Sequence, residues 1–161
     1  MLYMKYGSKI KGNVTTEGFK DQIELHSVQF GSGRGIGSAR GRGANREASE
    51  PSLSEVTVTK DWDPVSSSKL FEESVSGKLD NLVELTFTTT GGSSQEMFLV
   101  VKLKNCGVSG YSLSSGGDRP SESISLNYDH IEVIPKLVDE KLGTKDGEKV
   151  TFDLTKMKAN V

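Results

Sequence analysis

Cysteine is almost missing from this chain: its 161 residues include one, Cys106. A single thiol cannot close an intramolecular disulfide or build a cysteine-rich zinc site. An excess of charge is missing too. Twenty Lys and Arg stand against 22 Asp and Glu, a formal charge of −2, which argues against a protein coated in nucleic acid. Long apolar runs are absent. The longest, Met97 to Val101, has five residues, far short of the roughly 18 that would span a membrane. The opening Met1-Leu2-Tyr3-Met4-Lys5-Tyr6-Gly7 has no apolar stretch after a basic end, so it does not read as a signal peptide. The expectation is a chain made and folded in the cytoplasm that leaves the cell, if at all, without a cleaved leader. Apolar residues make up 34%, a low share that 18 glycines bring to the usual level, so disorder is not indicated. The length suits one domain, which buries about 70% of its unfolded surface without staples.

What is present is a two-residue period. Ile23, Leu25 and Ser27 alternate with Glu24 and His26. Val56 and Val58 alternate with Glu55, Thr57 and Thr59 in the stretch Leu53 to Lys60. Val83, Leu85 and Phe87 alternate with Glu84, Thr86 and Thr88. Met97, Leu99, Val101 and Leu103 share a face, as do Ile124, Leu126 and Tyr128, and Val150, Phe152 and Leu154 suggest a last strand. Such alternation predicts half-buried strands, and Gly91-Gly92-Ser93-Ser94 predicts a hairpin loop. One segment differs: Ser66 to Ser76 places Leu70, Phe71, Ser74 and Val75 on one face of a helix. Pro64 with one of Ser66, Ser67 or Ser68 supplies its start, and Gly77 its stop. Strands separated by Gly and Ser turns, with one helix, predict a β-sandwich or barrel. The charged stretch from Lys136 to Gly147 reads as loose.

The unusual insert is Gly31 to Arg46, GSGRGIGSARGRGANR. It has six glycines, four arginines and no acid, and the remaining chain carries −6. It is no dinucleotide fingerprint, since Ile36 stands where the third glycine belongs, and no P-loop, since Gly-Lys-Ser/Thr is missing. A nucleic-acid-binding β-barrel using this loop is one reading, but the loop lacks aromatic residues for base stacking. Steep weakening by salt would mark that reading. A flexible surface hairpin is the plainest. A third is an arm that orders against another subunit, because glycine allows close backbone approach and arginine forks suit carboxylates.

Catalytic patterns do not survive inspection. Asp61 and Asp63 flank Trp62 at a strand-to-helix turn, where compensation of a helix N-terminus explains them. His130-Ile131-Glu132 lacks the P-C-x-x-C partner of a deaminase metal site. His26 and His130 sit in strand patterns as surface or interface residues. Cys106 reads as a small buried residue rather than a nucleophile, and no G-x-S-x-G elbow occurs. The expectation is a protein with no enzymatic activity and no cofactor.

Four segments, in order, carry a resemblance. They are Gln22-Ile23-Glu24-Leu25-His26-Ser27-Val28-Gln29-Phe30 before the Gly-rich loop; Val58-Thr59-Lys60-Asp61-Trp62-Asp63 with Ser67-Ser68-Lys69-Leu70-Phe71 and Ser76-Gly77-Lys78; Phe98 to Ser109, FLVVKLKNCGVS; and Gly116 to Tyr128, GGDRPSESISLNY. Over residues 1–135 the chain resembles the haemolysin-coregulated protein (Hcp) family, the tube proteins of type VI secretion systems. The resemblance implies two packed antiparallel sheets closed into a β-barrel, with one short helix on its side. It implies a single tube-protein domain over 1–161, with an inter-subunit loop at 31–51 and a charged tail with a final strand at 136–161. It implies hexameric rings stacked into a hollow tube, with a contractile sheath, a spike protein and effectors in the lumen as partners. It also implies secretion from a Gram-negative bacterium, without a signal peptide, to the extracellular space or a target cell. Under this resemblance Gly31, Arg34, Arg40, Arg42 and Arg46 become candidate contacts to a neighbouring protomer or ring, and the Arg-rich loop departs from the family's usual pattern. A globule of this length has a diameter of about 40 Å, so six touching copies enclose a hole about 40 Å wide, room for a small folded domain.

Overall fold

The computed structural model describes residues 1–37, 48–91, 94–139 and 143–160. The strands are β1 (Leu2–Tyr6), β2 (Ile23–Leu25), β3 (Ser27–Gln29), β4 (Ser32–Gly33), β5 (Ser52–Leu53), β6 (Val56–Asp61), β7 (Asn81–Gly91), β8 (Ser94–Ser114), β9 (Ser121–Asn127), β10 (His130–Asp139), β11 (Gly143–Asp146), β12 (Val150–Asp153) and β13 (Lys158–Ala159), with helix α1 (Ser67–Ser76) between β6 and β7. All strand pairs are antiparallel. The first sheet runs β13-β12-β10-β8-β7-β1-β2, with β11 beside the far end of β10. The second runs β3-β6-β9-β8.

One strand belongs to both sheets. Up to Cys106, β8 pairs with β7 and β10; from Gly107 it pairs with β9. Asn105 takes a left-handed backbone, φ 48°, at this corner, and its amide donates to Asp129 Oδ2 at 2.7 Å. At the other corner β2 passes through His26 into β3, and the His26 amide donates to the Thr59 carbonyl at 2.8 Å. Pairing and chain continuity together link β1, β2, β3, β6, β9, β8 and β7, the β2–β3 step being made by the chain itself through His26.

Alternation fills the interior. Met4, Tyr6, Ile23, Leu25, Val56, Val58, Val83, Leu85, Val101, Leu103, Ile124 and Leu126 form one buried cluster, and Leu70 of α1 joins it. A satellite of Tyr3, Val14 and Phe19, with the Tyr3 and Phe19 rings stacked at 4.6 Å, covers the outer side of β1.

The helix lies close to its expected span. Gly77 ends it with φ 67°, and its backbone N–H donates to the Glu73 carbonyl. Its buried face is not the expected one. Ser67, Leu70 and Glu73 face inward, while Phe71 and Val75 are exposed. Polar pairing overrode the apolar pattern: Glu73 accepts from Asn81 Nδ2 at 3.3 Å, and the same amide reaches the Cys106 carbonyl. The Lys136–Gly147 stretch is also corrected. Lys136 to Asp139 extend β10 and pair with β11, and Lys136 meets Asp146 across that pair. Cross-strand ion pairs of this kind give charged edge residues a reason to order. The strand β1, central between β2 and β7, was not expected, because Lys5 is its only polar break.

Gly107 is the tightest point of the corner. A Cβ there would stand 2.3 Å from the Lys78 carbonyl oxygen. Gly107→Ala is expected to cost about 1–3 kcal/mol, read as a lowered midpoint in urea unfolding; an unchanged midpoint would show that the segment after α1 can move aside.

Candidate functional site

Three regions of the barrel carry chemistry. The first is a buried ion cluster. On β6 the inward phase is Val56, Val58, Lys60, and on β9 it is Leu126, Ile124, Glu122; these residues face each other in register. Lys60 is thus a cross-strand partner of Glu122 inside the barrel, and both are about 1% exposed. Lys60 Nζ lies 2.6 Å from Glu122 Oε2 and 2.8 Å from Asp63 Oδ2. Ser67 Oγ accepts from Lys60 and from the Asp63 amide, and donates to Glu122 at 2.7 Å. The Tyr111 hydroxyl donates to Glu122 Oε1. Burial and that bond push the Tyr111 hydroxyl well above its ordinary pKa, so it remains a donor. Asp63 Oδ1 accepts the amides of Val65 and Ser66 at 2.8 Å each, capping the turn into α1. Burial alone would raise the Asp63 pKa, but hydrogen bonds from Lys60 and Ser66 outweigh it and hold the carboxyl below its ordinary value. The cluster bolts α1 to β6 and β9. Its closed position gives it structural work, not contact with a substrate.

The second region is the outer face of the second sheet. Rows across the register read Ser27, Thr59, Ser123, Ser112 and Gln29, Thr57, Ser125, Gly110. Ser27 Oγ and Thr59 Oγ1 are 2.5 Å apart. The two rows hold hydroxyls, an amide and a glycine, with charge at the rims: Asp61 and His26, 3.1 Å apart, at one end and Glu55, which accepts from Asn127, at the other. Both lateral edges of this sheet are unpaired among the described residues: β3 pairs only β6, and the Gly107–Ser114 half of β8 pairs only β9.

The third is the ribbon that leaves β3 at Gly31. It pairs β4 with β5 and continues to an Ile36–Ala48 bridge. Serines stand opposite glycines: Gly31 N–H donates to Ser54 Oγ and Gly35 N–H to Ser49 Oγ, each at 2.8 Å. Gly31 therefore anchors the ribbon base. Arg34 is exposed. Arg40, Arg42 and Arg46 lie outside the described residues.

Other candidates fall apart spatially. His26 is exposed beside Asp61. His130 is mostly buried, 3.4 Å from Glu132 Oε1 without hydrogen-bond geometry. Glu132 is held below its ordinary pKa, chiefly by a hydrogen bond from Lys104. Burial pushes the Cys106 thiol up to about 12, leaving it protonated and unreactive. Among the described residues no group of three His, Cys, Asp or Glu could hold a metal ion, and no helix is long and apolar enough to cross a membrane.

The comparisons agree with this architecture. A family model described as type VI secretion system effector, Hcp, matches residues 3–134. The chain belongs to the Hcp family. A solved type six secretion system protein superposes with a TM-score of 0.85 at 25% identity, covering 99% of this chain and 98% of that one. Hcp1 from Salmonella typhimurium gives 0.71 at 17% identity, covering 98% and 96%. Hcp1 from E. coli EAEC 042 gives 0.72 at 16%, covering 95% and 97%. No curated protein matches the chain. The Hcp fold of two antiparallel sheets and one short helix is thus the one expected from the sequence, and the family is one of secreted proteins.

The cluster was missed at the sequence level, although its signal was there. Lys60 continues the inward phase of Val56 and Val58, and Glu122 that of Ile124 and Leu126. Two opposite charges in apolar phase on paired strands announce a buried ion pair.

Glu122→Ala leaves Lys60 buried without its cross-strand carboxylate and is expected to cost about 3–5 kcal/mol. The double variant Lys60→Met with Glu122→Leu should recover most of that loss in chemical denaturation. Asp63 gives a sign to acid sensitivity. Its folded pKa is below the ordinary 3.8, so its contribution is complete above that value and fades as pH falls through the lower, folded one. Wild type should therefore lose stability relative to Asp63→Asn below about pH 4. Parallel loss in both proteins would refute the assignment.

Proposed function

We propose that this Hcp protein is a structural component of the type VI secretion tube. Six copies close into a ring, rings stack into a hollow tube, and contraction of a sheath expels tube and spike from the cell. The role is assembly and carriage, without catalysis or cofactor. The observation that carries this reading is the second sheet, which combines two open edges with a hydroxyl-covered face whose charges are confined to its rims. Open sheet edges template pairing with another chain. Copies joined edge to edge would extend one sheet from protomer to protomer, and a cyclic operator closes such heterologous contacts into a ring.

The Ser/Thr face then forms the wall of the lumen. It presents no large apolar side chain and almost no charge, so a folded cargo finds hydrogen-bond partners but no strong trap. The ribbon base at Gly31 and the arginines Arg34, Arg40, Arg42 and Arg46 meet carboxylates of a neighbouring protomer or ring. The charge division supports this, with +4 in the insert and −6 in the rest of the chain.

Negative-stain microscopy of the purified chain tests the reading directly. Six-fold rings with a central hole are expected, and replacing Gly31–Arg46 by a short neutral loop should reduce ring or tube assembly. A protein that stays monomeric at high concentration would overturn the proposal.

A further inference from the structure

We draw no further inference here: the strongest candidate, the exposed apolar stripe of Phe71, Val75 and Leu79 on α1 and the turn after it, flanks the open Gly107–Ser114 edge of β8, and nothing in the structure shows what covers it.

Discussion

A 21-residue strand that serves two sheets has to turn between them, and the rest of the barrel depends on where β8 does so. The turn falls at Asn105–Gly107. Its left-handed asparagine and closely approached glycine let the backbone leave β7 and β10 and join β9. That handover frees one edge of β8 in its second half, because β10 ends its pairing at Lys104. The same corner receives the segment after α1, whose Lys78 carbonyl occupies the space a side chain at Gly107 would need. The joining of the two sheets, docking of the helix and exposure of a sheet edge thus share one structural cause.

The Lys60–Glu122 pair complements that corner from the opposite end of the second sheet. A buried ion pair is not a strong source of stability, since desolvation offsets much of its attraction. Its value here is positional. The pair specifies which residue of β6 faces which residue of β9, and Ser67, Asp63 and Tyr111 extend that specification to α1 and to β8. A one-residue slip would bury hydroxyls and expose Val56, Val58, Ile124 and Leu126. The polar cluster raises the cost of that slip further, because a displaced Lys60 would be buried without a carboxylate.

Much of the fold was legible because the period of two is a local property. Val83 to Phe87, Leu99 to Leu103 and Ile124 to Leu126 fold as their alternation suggests, whereas a bulge opposite Phe87–Thr88 turns Met97 from that face to the outer cluster of Tyr3, Val14 and Phe19. The errors have common physical roots. In α1 the apolar residues Phe71 and Val75 read as a buried face, yet Glu73 takes the inward position because Asn81 offers it a partner from a distant strand. The stretch after Lys136 read as loose because its charges look solvated, but Lys136 and Asp146 are cross-strand neighbours. Partners far apart in sequence leave no local trace. The family resemblance supplied the topology that alternation could not.

The candidate site was legible only in part. The Gly-Arg insert stands out by composition, and Gly31 does anchor the ribbon there. The second-sheet face was hidden in plain view, because serines and threonines at alternate positions look like ordinary strand exteriors until the register aligns them. Alignment changes their meaning. Single Ser and Thr residues on a surface need no explanation, but two full rows across four adjoining strands without a charge, bounded by Glu55 at one end and Asp61 at the other, do. An exterior exposed only to solvent tolerates charge readily, and such charge guards an edge-bearing sheet against unwanted pairing. This sheet omits that guard on the face and at both edges. A sheet open at its sides, with its charges confined to the rims, leaves those edges free to pair, and that is the feature the proposed assembly uses.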